Sequence, residues 1–202
     1  MGLFKLDTPT PKSEEKTIVN ARNDRTVSRS LKLENIHTHR VEDIDRDICS
    51  DLAPGEAHFI LTTNKINMRT FLYWILKNSG ENHIDELVIS TYSVSTATSE
   101  MLRDLILKDL AGKITLIVCD HFLKLKDPGY FHIRAICEDH GIKLLFRDNH
   151  SKILLARSAS RRIVLFGSGN FADNAHVEEY FLIDDGRIFD FYREALLSDC
   201  TV

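Results

Sequence analysis

The sequence predicts an α/β fold in which a mixed β-sheet is flanked by helices on both faces. Three observations predict it. Strand-like and helix-like segments alternate from residue 57 onward. "KITLIVCD" (113–120) is apolar along its length, as expected of a strand covered on both sides. Three strand-like runs, at 142–147, 151–157 and 161–167, follow one another too closely for helical crossovers, so part of the sheet must be antiparallel.

Taken in order, residues 1–33 are polar, with Pro9, Pro11 and many charges, and read as a mobile N-terminal arm suited to docking another protein. Residues 34–202 read as one domain. "AHFILTT" (57–63) is its first apolar strand, and "INMRTFLYWILKNSG" (66–80) is a helix closed by Gly80. One face of that helix must pack on the sheet, which assigns Phe71, Tyr73 and Trp74 to the core rather than to base stacking. "ELVISTYSV" (86–94) is β-branched and strand-like. In "SEMLRDLILKDLAG" the apolar positions 101, 102, 105, 106 and 110 share a helical face, with Gly112 as the stop. "GYFHIRAICEDHG" is a second amphipathic helix, ending at Gly141. "VEEYFLI" (177–183) is the last strand, and "RIFDFYREALL" is a terminal helix. No internal repeat is present.

Bulk properties narrow the function. The chain has 202 residues, 43% apolar and 28% charged, the balance of a globular protein. A net charge of −4 supplies no protein-wide positive field for polyanions, leaving only local basic surfaces. Cys49, Cys119, Cys137 and Cys200 are dispersed without a CxxC pair, and Cys119 and Cys137 sit in apolar segments, as buried free thiols do in a reducing compartment. No run reaches the roughly 20 apolar residues of a membrane span. The start "MGLFKLDTPTPKSEEK" lacks an apolar signal region, and Leu6 stands where a myristoylation signal has Ser or Thr. A cytoplasmic address without membrane contact is expected.

The chemistry is concentrated in "DNHSKILLARSASRRIVLFGSGNFADN" (148–174). On a strand over 150–157, His150 and Lys152 project from one side. A hairpin-like return through 157–161 brings back "GSGN", where glycines admit close approach of backbone N–H groups to an anion. Ser168 and Asn170 add side-chain donors, and Gly169 lies between them. A cation, amide donors and a group titrating near neutrality make a phosphate site.

This spacing resembles the HxK…GSxN motif of the phospholipase D superfamily, matched by His150, Lys152, Gly167, Ser168 and Asn170. The likeness continues into "NAHVEEYFLI", where Asn174 precedes a Glu that opens a strand: Glu178, or Glu179 in the alternative register. The order of elements over 57–198 is similar too, and the nearest look is to small single-motif members of bacteria and phages. Two departures stand out: Arg157 occupies the place where the family motif has an Asp, and the gap from Lys152 to Gly167 is about three residues longer than usual. The resemblance implies a metal-independent, cofactor-free displacement at phosphorus. One His forms a phosphohistidine while a second protonates the leaving oxygen. Lys152 and Asn170 would hold the non-bridging oxygens, and the Glu would orient the imidazole. Two HxK motifs are needed and this chain has one, so the enzyme reading carries with it a homodimer with a shared site. The expected activity is that of a nuclease. A lipid phosphodiesterase is less favoured, for want of an amphipathic or strongly apolar surface segment. A non-catalytic nucleic-acid-binding or assembly subunit is the alternative from another class.

Arg147, Arg157, Arg161 and Arg162 surround the motif in sequence. They read equally as a polyanion groove or as exposed, Arg-rich strand ends. "HTHR" (37–40) has the His-x-His form of metal hydrolases, but no long apolar strand precedes it, and Asp120 and His121 offer no clear ligand spacing. No metal is expected. The acidic run 42–47 reads as a solvated helix start, and His132 and His140 as helical surface residues.

Overall fold

In the computed structural model, residues 27–30, 52–63, 66–78, 82–124, 128–171 and 177–198 are described. The elements are β1 (Val27–Ser30), β2 (Ala57–Thr63), α1 (Met68–Asn78), β3 (Ile84–Thr91), α2 (Thr96–Leu107), β4 (Ala111–Cys119), α3 (His121–Lys124), α4 (Pro128–Asp139), β5 (Lys143–Arg147), β6 (Ile153–Arg157), β7 (Arg162–Gly167), β8 (Val177–Asp184) and α5 (Gly186–Leu197). The eight strands form one sheet in the order β1-β2-β8-β7-β6-β3-β4-β5. β3, β4 and β5 run parallel, and every other neighbouring pair is antiparallel. The mixed α/β architecture is therefore as the sequence predicts.

Alternation along the strands divides the core in two. Leu87 and Ile89 of β3, Leu116 and Val118 of β4, and Leu154 of β6 face α1, α2 and α4. Val88, Ile117, Leu155 and Val164 face the other way, onto Phe189 of α5. Each fully buried aliphatic side chain contributes about 1.5–3 kcal/mol of transfer free energy, so the two-sided strands carry most of the drive to fold.

The helices begin and end where local chemistry allows. The Asn67 side-chain oxygen accepts from Arg69 N–H (3.0 Å) and caps α1. Ser95 caps α2 through Thr98 N–H, and Asp185 caps α5 through Arg187 and Ile188 N–H. α4 closes at Gly141, whose φ of +68 is in the left-handed region. α2 departs from expectation. It stops at Leu107, and the left-handed residue is Asp109 (φ +53), not Gly112, which lies inside β4. Asp tolerates that conformation, so the turn closes three residues before the glycine. Phe71 and Trp74 are core, as expected, but Tyr73 is 56% exposed, because it points away from the sheet.

Within the stretch read as an N-terminal arm, Val27–Ser30 pairs with β2 at the sheet edge. The rest of that stretch, Gly80, the "HTHR" and 42–47 segments, Cys49, Asn174 and Cys200 lie outside the described residues. Cys119 and Cys137 are buried free thiols, and burial, aided by the Glu138 charge, pushes Cys137 up to about 11. Among the described residues no helix is long and apolar enough to cross a membrane.

Candidate functional site

β6 and β7 form a hairpin in the register Ile153↔Phe166 to Arg157↔Arg162. Its open end is the candidate site. His150 and Lys152 lie just before β6 rather than on it, since the strand begins at Ile153. The pairing still reaches them, because Gly167 N–H donates to Lys152 O at 3.2 Å. An Asn149 clasp fixes this loop. Its Oδ1 accepts from Ser151 N–H (2.9 Å) and Ser151 Oγ (2.6 Å), and its Nδ2 donates to Thr91 O (3.1 Å) at the end of β3. This is an Asx turn, which holds the backbone where no ladder does. Ser151 Oγ also meets Ser90 Oγ at 2.6 Å, tying the loop to β3 a second time.

The exposed His150 ring rests against Tyr92, with centroids 5.0 Å apart. Lys152 Nζ donates to His150 O at 2.9 Å, lies 3.4 Å from His150 Nδ1, and sits 5.9 Å from the Tyr92 ring centroid. Burial holds the Lys152 ammonium below the usual lysine range, and the Glu178 charge acts against that shift. Such a cation gains most from an incoming anion, because its desolvation is already partly incurred.

Ser168 closes the other side. Its N–H donates to Glu179 O (3.0 Å), its Oγ accepts from Glu179 N–H (3.0 Å), and its hydroxyl donates to Glu178 Oε2. The two candidate glutamates fall on opposite faces of β8. Glu178 is half-buried on the site side, whereas Glu179 is exposed on the opposite face. Within one chain the Glu178 carboxylate takes the Ser168 hydroxyl, while the neighbour of His150 Nδ1 is Lys152. Asn170 Oδ1 accepts from Thr91 Oγ1 (3.4 Å), so the Asn170 amide nitrogen is the donor end of that side chain.

Gly167 has a different job from the one the sequence suggests. A Cβ there would fall inside the van der Waals shell of Glu179 O and 2.8 Å from Tyr180 Cδ1. This glycine lets β7 and β8 approach each other, and its N–H is taken by Lys152 O. Gly169 is buried between Ser168 and Asn170.

The structure brings His150, Lys152, Ser168, Gly169, Asn170 and Glu178 to one edge, but not the four arginines. Arg157 is at the opposite end of the hairpin and pairs with the buried Glu86 (3.2 Å), which Arg193 also holds (2.9 Å). Arg161 bonds Asp184 (2.9 Å) and Asn78 O, and Arg162 bonds Ser158 O (2.7 Å). Arg147 donates to Leu196 O and Ser198 O at the end of α5. The guanidinium groups are thus engaged by carboxylates and backbone carbonyls of the fold rather than gathered around His150. Sequence reasoning missed Thr91, Tyr92 and Asn149. Asn149 had a legible signal as an Asx-turn residue directly before His150; Tyr92 had none. Cys119, Asp120 and Asp148 place potential ligand atoms within 4.8 Å of one another, with Asp148 exposed.

Fold and site together define an α/β chain with a cation, an imidazole and polar side chains gathered at the open end of the β6–β7 hairpin. No protein-family profile matches the chain. No curated protein matches it by sequence. Among solved structures it is similar to polyphosphate kinase from Porphyromonas gingivalis, at 15% identity and a TM-score of 0.45 over 64% of this chain and 24% of that one. It is also similar to TrmBL2, described as an archaeal chromatin protein with a novel mode of DNA binding, at 16% identity and a TM-score of 0.44 over 77% of this chain and 55% of that one. The chain thus spans about a quarter and just over half of the lengths of these two proteins.

Proposed function

We propose that the chain is a metal-independent phosphodiester hydrolase of the phospholipase D type, acting on nucleic acid as a homodimer. The observation that carries this reading is the meeting of His150 and Lys152 with Ser168, Asn170 and Glu178 on one sheet edge. An imidazole nitrogen of His150 attacks phosphorus, forming a P–N bond as the bond to the leaving oxygen breaks. His150 of the second copy donates its proton to that oxygen. It then takes a proton from water, whose oxygen attacks phosphorus, forming a P–O bond as the P–N bond breaks and the first imidazole leaves. Lys152 and the Asn170 amide stabilise the non-bridging oxygens as negative charge grows. Ser168, held by Glu178, positions that turn. A cytoplasmic address and a docking role for residues 1–33 belong to the same proposal.

A second reading is a non-catalytic nucleic-acid-binding or assembly subunit. It is favoured by Arg157, which stands where the resembling motif has Asp and is tied to Glu86. Purified protein in excess chelator, assayed on single- and double-stranded DNA, RNA and a chromogenic phosphodiester beside His150→Ala, separates the two. Cleavage that persists in chelator and disappears in the variant supports hydrolysis. Equal cleavage by both proteins sinks it, and binding without cleavage selects the second reading.

A further inference from the structure

The sheet ends at β5, whose outer edge meets no strand of the described residues. Asp120 N–H donates to Arg147 O at 2.7 Å, so Arg147 turns its main-chain groups toward β4. By alternation Lys143 and Leu145 do the same. The N–H and C=O of Leu144 and Phe146 therefore point outward, and among the described residues they meet no hydrogen-bond partner. Native edges are commonly blunted by charge or proline, yet the middle of this strand reads Leu-Leu-Phe.

A groove of about 420 Å³ runs beside that edge. Its floor is Leu144 and Phe146 again, whose side chains pack toward the helices on the α4 side of the sheet. Tyr130, Arg134, Cys137 and Glu138, from one face of α4, form its wall. Tyr130 meets Phe146 edge-on at 5.5 Å, which fixes one end of the floor. At the rim Arg134 and Glu138 pair with each other at 2.7 Å, so the groove asks for an uncharged side chain.

We propose that β5 and this groove take an extended segment of another protein, added to the sheet as a further, antiparallel strand. The main chain selects the shape of the occupant, because outward N–H and C=O groups on alternate residues are matched by a strand running alongside. Pairing then aims its side chains. Residues opposite Leu144 and Phe146 point to the same face as those two, into the groove, so the segment carries large apolar residues two apart. Charge sets its direction. Lys143 opens β5 and Asp148 follows it, both exposed, which suits a segment with a basic residue at its start and an acidic one at its end. The inference stands apart from the phosphodiesterase reading, since β4 and β3 separate this edge from β6.

The probe is a fluorescein-labelled peptide, Lys-Thr-Val-Thr-Leu-Glu, with both ends blocked, titrated into the full chain by fluorescence anisotropy. In the antiparallel register its Val and Leu lie opposite Phe146 and Leu144 and turn their N–H groups to β5, whereas the Thr N–H groups face away. Saturable binding is expected, weakened at least about 10-fold by N-methylation at Val and Leu but not by N-methylation at the two Thr. Amide exchange at Leu144 and Phe146, fast in the free chain, is expected to slow at least about 10-fold with peptide bound. Leu144→Pro removes an outward donor without touching the β4 ladder, and Leu123→Asp puts a charge at the groove. Each variant, with folding verified by circular dichroism, is expected to weaken binding at least about 10-fold. The proposal is overturned if no saturable binding occurs, if the two methylated peptides bind equally, or if both folded variants bind as wild type does. It is also overturned if the Leu144 and Phe146 amides are already protected in the free chain, because the chain's own residues would then cover the edge.

Discussion

Replacing Arg157 with Asp tests how this chain accommodates a residue that departs from the motif it resembles. In the structure the Arg157 guanidinium lies 3.2 Å from Glu86 Oε2, and the Glu86 side chain is 2% exposed. At an effective dielectric of ~20, unit charges at that 3.2 Å separation attract by about 5 kcal/mol gross. Arg157 is 38% exposed, so solvent screening and side-chain ordering reduce its net share to about 1–2 kcal/mol. Arg193, at 2.9 Å, keeps Glu86 from being left unpaired when Arg157 is cut back to Ala. Asp is worse than Ala, because it sets a second carboxylate beside a buried one. The expected loss is about 3 kcal/mol or more, the range for disrupting a buried ion pair. For a chain of this size that is a fall in Tm of about 6–12 °C. pH adds a signature. Burial pushes the Glu86 carboxyl up, but the Arg193 hydrogen bond and the charges of Arg193, Arg157 and Lys113 outweigh it and hold the group below the usual range. The stability due to this pairing is therefore complete above the unfolded Glu value of ~4.3 and disappears as pH falls through the lower folded value. Urea unfolding of wild type, Arg157→Ala and Arg157→Asp at pH 7 and in acid measures both effects. Equal stability of Arg157→Asp and wild type at pH 7 would refute the reasoning.

Four further outcomes are expected. Gly167→Ala should cost about 1–3 kcal/mol by forcing β7 from β8, and should weaken anion binding by displacing Ser168; retention of both stability and binding would show that the strands yield freely. Lys152→Met should leave stability unchanged or raised by up to about 1 kcal/mol while abolishing phosphate binding, as calorimetry can measure. The sign follows from burial: a Lys held below its unfolded value of ~10.4 makes wild-type stability rise with pH between the folded and unfolded values, a slope that the Met variant lacks. Asp184→Ala, which removes the partner of Arg161 Nε and Arg162 N–H, should lower stability by about 3 kcal/mol, read from urea unfolding. Cys137, buried and raised to about 11, should resist alkylation at pH 8 until the protein unfolds; rapid native labelling, located by peptide mass, would contradict its burial.

Much of the edge was legible because its residues are close in sequence. "HSK" and "GSGN" flank one hairpin, and a hairpin brings its two ends together whatever surrounds it. Period-two alternation likewise separates Glu178 from Glu179, although choosing between them required the pairing of β8 with β7. Tyr92 was illegible for a different reason. It reaches His150 only because β6 pairs with β3, a neighbour more than sixty residues away in the chain. The arginines looked clustered in sequence, yet their nearest carboxylates, Glu86 and Asp184, arrive from other strands.

By itself the sequence determined most of the succession of elements from β2 onward, the two-sided burial of the central strands and the nearness of His150, Lys152, Ser168 and Asn170 across one hairpin. Each depends on periodicity or on chain neighbours. Only the tertiary structure decided the strand order, the pairing of Arg157 with Glu86, the packing role of Gly167 and the open edge at β5. Those depend on which distant segments become neighbours, and hydrophobic patterning tells a strand to be buried without saying beside which partner.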